Sequence, residues 1–184
     1  MNDKIDNFFL EDNKNNLKLV ESLDKEIIGK VRNWKLLRWD ELPDFEIYND
    51  QLLSIVLSQV SPFLSEKDIS PSMINNYVKQ NLMPKPVKKR YSKEHIALLT
   101  AISFVKQVFT MEEVGRGIKL YLEGKEFKDA YDSFCDIMED QIRLVFLGEE
   151  IPNKGESLYL TEAIRSISGS LYVKGYLRRM YEEE

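Results

Sequence analysis

Four polar residues and a run of cations make up the most chemically loaded stretch of this sequence. From Ser70 to Thr110 the chain holds Lys79, Lys85, Lys88, Lys89, Arg90, Lys93 and Lys106 against one acid, Glu94, a net charge of +6. The remaining residues sum to −11, and the whole chain to −5. Affinity for a polyanion depends on the local field at the contact surface, so one basic patch inside an acidic chain suffices for phosphate binding. The ten residues Pro84 to Lys93 (PKPVKKRYSK) contain five of the cations and no acid. Their mutual repulsion must be relieved by solvent or by an anion, and a phosphate backbone would supply one.

Local punctuation places these residues on elements. Ser70-Pro71 is a helix start: the Ser hydroxyl can accept from an orphan N–H, and Pro at the first helical position loses no bond. The spacing predicts a helix from Pro71 to Gln80 with Ile74, Tyr77 and Val78 on one side and Ser72, Asn75, Asn76 and Lys79 on the other. Asn can pair with adenine and Lys can reach guanine or phosphate, so the polar face fits a major groove; a merely solvated surface is the plainer alternative. Asn81 sits where a left-handed residue would end the helix, with Leu82 and Met83 tucking back onto the core. Pro84 and Pro86 forbid helix and central strand, so the following run is expected as an exposed loop or small hairpin, a wing. Ser92 can cap a helix from Lys93 to Val108. Its apolar residues nearly encircle it, which makes it central. Thr110 and Glu113 have capping-box spacing and open a helix from Met111 towards Glu123, ending at Gly124.

The segment MINNYVKQNLMPKP, followed by KRYS, resembles the second helix, turn and wing of the MerR-like winged helix-turn-helix, with Ile74, Tyr77 and Leu82 at family-like positions. Asn75 and Asn81 stand where that family commonly has Arg and Gly. Arg90, Tyr91 and Ser92 resemble the end of its wing. LPDFEIYNDQLLSIV (Leu42 to Val56) together with SMINNYVKQNLMPKPVKKRYSKEHIALL is similar to an uncharacterised Firmicutes family, domain of unknown function 1836, over about residues 39–145. That resemblance implies a MerR-like DNA-binding regulator. The DNA-contacting set expected from the residues and the resemblance together is Ser72, Asn75, Asn76, Lys79, Lys85, Lys88, Lys89, Arg90, Tyr91 and Lys93; Lys106 is expected to be a bystander on the central helix.

The elements around this segment read as mainly helical. Leu17, Val20, Leu23, Ile27, Val31 and Trp34 recur at helical spacing; Trp39 to Pro43 is a break; and Leu52, Leu53, Val56, Leu57 and Val60 mark a helix capped by Asp44 or Asn49, expected to be the first helix of the helix-turn-helix. A short helical turn is expected near Phe63 and Leu64. Beyond Gly124, helices are expected over Lys125 to Leu147 and Glu156 to Tyr181, separated by a polar loop. Gly169 and Gly175 each weaken the last helix by about 1 kcal/mol relative to Ala, which implies close packing or a bend. The expected organisation is an N-terminal helical extension over 1–40, a winged helix-turn-helix with a small β wing over 41–123, and a C-terminal helical region over 124–184. The C-terminal third of the chain carries aromatics such as Tyr121, Phe127, Tyr131, Phe134 and Tyr159 at core spacing. Its sharper readings are an effector pocket or a dimer interface.

Composition excludes several classes. At 184 residues and 43% hydrophobic content the chain can bury a sizeable core. No apolar run reaches the ~18–20 residues of a membrane span, and the acidic start MNDKIDNFFLEDN lacks secretory-signal order, so a cytoplasmic location is expected. The single cysteine, Cys135, leaves no intrachain disulfide or Cys-based zinc cluster and reads as a core residue, with a redox sensor as the minority case. The only histidine, His95, reads as a surface or cap residue. Asp129, Asp132, Asp136, Glu139 and Asp140 recur at helical spacing, which reads as a solvated face without the Asx-rich pattern of a calcium loop. With no nucleotide-binding or nucleophile-elbow motif, neither an enzyme, a cofactor nor a metal is expected. The expected function is a sequence-specific transcriptional regulator binding double-stranded DNA as a homodimer, with a small-molecule effector as a further partner. The competing reading is a protein-interaction module that keeps the winged fold and binds an acidic protein.

Overall fold

The computed structural model describes residues 28–65, 67–151 and 157–182. A short helical stretch at 28–32 and a 3-10 turn at Trp39–Glu41 precede six α-helices: α1 (Asn49–Val60), α2 (Pro71–Lys79), α3 (Lys93–Val105), α4 (Met111–Leu122), α5 (Phe127–Leu147) and α6 (Leu158–Glu182). The chain is mainly α-helical. Most of the helical pattern expected from Leu17 to Trp34, and the expected start of the last helix at Glu156, lie outside the described residues.

α3 is the hub, as its nearly all-round apolar pattern requires. Ile96, Leu99, Ile102 and Phe104 are fully buried, and the helix packs against both α1 and α6. α5 and α6 pack along each other. A chain of edge-to-face rings ties distant segments together: Trp34 to Phe63 (4.8 Å), Phe63 to Phe146 (5.5 Å) and Phe146 to Tyr172 (5.2 Å). Such pairs add ~0.5–1.5 kcal/mol each beyond area burial. The cluster of buried apolar residues runs from Val31 to Leu171 and draws on all three expected segments. Cys135 is fully buried within it, and burial pushes its thiol up to about 12, which keeps it protonated. The neighbouring Tyr131 hydroxyl lies beside Cys135 and Thr100 without a hydrogen bond of normal geometry to either.

Of the two explanations offered for Gly169, close packing is not borne out: apart from its own helix backbone and chain neighbours, no heavy atom lies within 4 Å of where a Cβ would stand. The acidic face of α5 is not simply solvated either. The extended segment before the 3-10 turn has backbone N–H groups with no helix or sheet to receive them, and α5 supplies the acceptors. Glu139, buried, accepts from the Leu36 N–H at 2.9 Å and from Arg38 at 2.6 Å, while Asp136 takes the other Arg38 nitrogen at 2.7 Å. Asp132 accepts from the Trp39 N–H at 2.7 Å, and Lys128 pairs with Asp40. Gln59 of α1 completes the anchorage by accepting from the Leu37 N–H (2.9 Å) and, through its carbonyl, from Trp34 Nε1 (2.6 Å).

Glu139→Ala strands the Leu36 N–H and one side of Arg38, so urea denaturation should show a loss of about 2–3 kcal/mol. Glu139→Gln, which retains an acceptor, should lose less.

Candidate nucleic-acid interface

α2 begins and ends as its sequence dictates. Ser70 Oγ accepts from the Met73 N–H (3.4 Å), Pro71 occupies the first turn, and Asn81 adopts φ 57°. The Leu82 N–H donates to the Tyr77 carbonyl (2.9 Å) and the Asn81 N–H to Val78 (3.1 Å), the pair of bonds that closes a helix on a left-handed residue. Ile74 and Tyr77 face the core, and Leu82 and Met83 are buried behind them. Ser72, Asn75, Asn76 and Lys79 are all exposed. Asn76 Oδ1 accepts from Gln80 Nε2 at 3.3 Å, and Ser72 Oγ lies 2.9 Å from Ser70 Oγ; among the described residues no side-chain hydrogen bond or ion pair holds Asn75 or Lys79.

The segment expected as a small β wing forms no regular strand. Pro84 and Pro86 have no N–H to extend a ladder, and pairing is limited to two isolated antiparallel bridges, Val87 with Arg90 and Ile47 with Tyr91. The Arg90 N–H donates to the Val87 carbonyl (2.9 Å), and between them Lys88 and Lys89 take φ 49° and 63°. Two consecutive left-handed residues are what a type I′ turn uses, and Asn-Gly is its favoured pair. Lysine has a Cβ, and each left-handed L-residue costs about 1–2 kcal/mol. The sequence therefore carries strain at the tip of a basic turn, a pattern associated with functional sites. Lys85, Lys88, Lys89 and Arg90 are all exposed.

Four anchors fix this turn to the body. Ile47 and Tyr91 exchange both backbone hydrogen bonds (2.9 and 2.8 Å), joining the turn to the segment before α1, and the Tyr91 ring is buried. Arg90 stacks over the Tyr48 ring at 5.2 Å and reaches its hydroxyl at 3.3 Å. Lys93 pairs with Asp44 and lies 5.2 Å over the Trp39 ring, leaving its side chain 16% exposed. The last anchor is His95. Its Nδ1 accepts from the Ser92 N–H at 2.9 Å, so Nε2 carries the proton and donates to the Pro84 carbonyl at 3.2 Å. One buried imidazole thus spans the beginning and the end of the basic turn.

Of the ten residues expected at DNA, eight lie exposed on α2 and the turn, while Tyr91 is buried and Lys93 is engaged within the fold. His95, expected at the surface or as a cap, is 5% exposed and does cap the helix while also reaching Pro84. Lys106, expected to be a bystander, donates to the Asp68 carbonyl and lies 3.4 Å from Met73 Sδ, securing the loop that enters α2. Burial holds its ammonium below the usual lysine range. Tyr48 had no signal of its own: its partner Arg90 is 42 residues away in sequence.

The family model for a domain of unknown function, 1836, matches residues 37–134, and the chain belongs to that family. The matched span runs from the segment anchored by α5 through the basic turn and α3 into the first turns of α5. No curated protein and no solved structure matches the chain.

Two outcomes follow from this geometry. Lys88→Asn combined with Lys89→Gly should relieve the turn and raise Tm by roughly 2–4 °C for each kcal/mol recovered. A lowered Tm would show that the lysines are not strained there. Burial depresses the His95 imidazole below its ordinary 6.5, so the unfolded chain takes up the proton first. The stabilisation is complete above 6.5 and declines as pH falls through it. The urea midpoint should therefore drop between about pH 7.5 and pH 5.5, and His95→Ala should flatten that dependence.

Proposed function

We propose that this chain is a sequence-specific DNA-binding transcriptional regulator of MerR-like winged helix-turn-helix type. In this reading α1 and α2 form the helix pair, α2 enters the major groove, and residues 84–90 act as the wing on flanking phosphates. The observation that carries it is the basic turn itself: two adjacent lysines at a left-handed tip, with Lys85 and Arg90 beside them, clamped to the body at both ends. A fixed array of cations suits a regularly spaced phosphate backbone, which positions a protein but does not specify sequence. The adjacent amide-rich face of α2 supplies groups for base edges, with Asn75 and Asn76 suited to adenine and Lys79 to guanine or phosphate. Tyr91 and Lys93 serve as supports, and Ser72 lies at the helix start, where phosphate contacts are common. Binding to paired half-sites requires two copies, and this role falls to the C-terminal helices, where Val173 and Leu177 are exposed one turn apart on α6.

A second reading has its own support. Phe45, Tyr48 and Val87 are exposed, and the Ile47–Tyr91 and Val87–Arg90 bridges place them around the base of the turn. Apolar groups beside cations also suit an acidic protein partner.

Gel shift of the purified chain against genomic fragments separates the two readings. Binding to its own upstream DNA no tighter than to random DNA at moderate salt would refute sequence specificity. Lys88→Ala with Lys89→Ala should weaken binding to every sequence and flatten the slope of log K against log salt by about 2. Asn76→Ala should instead cost about 1–3 kcal/mol at particular base positions and change sequence preference.

A further inference from the structure

A cavity of about 380 Å³ lies between α3, α4, α5 and α6, with Leu98, Ala101, Ile118, Tyr121, Phe134 and Ile164 among its walls. The space is partly open to solvent and falls within the size range of small-molecule sites, which begin near ~300 Å³. α4 forms one side. Although Ile118, Tyr121 and Leu122 face the space, Val114 is the only residue of that helix fully withdrawn from solvent. The charged residues on the wall, Glu113 and Arg116, are both exposed to solvent, where Glu113 is engaged with Thr110 and Arg116 with Glu112, and the rest of the lining is apolar or tyrosine. An ion carried past them into the apolar part of the space would lose hydration without gaining a charged partner.

α4 also touches the candidate DNA-contacting region. A Cβ at Gly115 would stand 3.0 Å from Leu82 Cδ2, and one at Gly117 would stand 2.8 Å from the Tyr159 hydroxyl. Two residues apart on a helix point to opposite sides. The helix is thus wedged between Leu82, the residue that closes α2, and Tyr159 at the start of α6, which also lines the cavity.

We infer that the cavity beneath α4 binds a neutral, largely apolar small molecule, and that occupancy moves α4 against Leu82 and so adjusts the setting of α2. The binding half stands independently; the regulatory consequence rests on the DNA-binding reading. The test uses N-phenyl-1-naphthylamine, a neutral apolar fluorophore, with the full chain. Saturable binding of about one probe per chain is expected, and Ala163→Phe, which fills the cavity from α6, should weaken it tenfold or more while keeping a cooperative melt. If that variant does not fold, hydrogen exchange on the unaltered chain decides, because bound probe must slow exchange across residues 111–122. Absence of saturable binding, equal binding by a folded Ala163→Phe chain, or unchanged exchange in α4 overturns the site. Decanol should displace the probe at least tenfold more effectively than decanoate, and the reverse order overturns the neutral class. Coupling requires that probe alter exchange over residues 77–83 with no DNA present; no change there overturns the coupling alone. Failure of the gel shift would leave these probe measurements unaffected, so the two claims fall separately.

Discussion

Like charges do not hold themselves together, and that constraint shapes the molecule's most distinctive surface. Four exposed cations, Lys85, Lys88, Lys89 and Arg90, crowd one turn that lacks regular strand pairing. The turn keeps its form because it is grafted onto the first turn of α3, the most deeply buried helix. His95 accepts from Ser92 and donates to Pro84, and Lys93 reaches back to Asp44 and Trp39. One residue further along, Ile96 is fully buried in the core. Core packing is thereby transmitted directly to an exposed, self-repelling segment. A surface fixed before binding loses less conformational freedom on contact, which favours affinity for a rigid polyanion.

The acidic majority of the chain is arranged so that part of it works inward. Asp132, Asp136 and Glu139 project from α5 to receive the backbone and the Arg38 side chain of the segment before α1. That segment in turn carries Trp34 into the aromatic cluster and leads to Ile47, which pairs with the basic turn. Negative charge on α5 therefore supports the cationic surface indirectly, through a chain of backbone contacts.

Features set by neighbours in sequence were legible before the structure. Ser70-Pro71 as a start, Asn81 as a left-handed stop, the Thr110–Glu113 capping box and the centrality of α3 all depend on local backbone chemistry or on helical period. Features set by distant partners were not. His95 needed Pro84, Glu139 needed Leu36 more than a hundred positions away, and Arg90 needed Tyr48. Composition made Lys93 look like a free cation, and the resemblance to the end of a wing made Tyr91 look like a contact residue; tertiary pairing took both into the fold. The segment expected as a wing was legible as a basic exposed turn, yet its lack of regular strand was not, since two prolines and two left-handed lysines reduce the pairing to single bridges. The cavity beneath α4 had only an indirect sign: aromatics at core spacing, several of which line a space instead of filling it.

The central claim, that α2 reads sequence while the basic turn holds the backbone, is tested most directly by selecting genomic fragments bound to the full chain and sequencing them. The account predicts enrichment of one recurring sequence, in paired copies, over the input. Recovery of fragments at their input frequencies would contradict it.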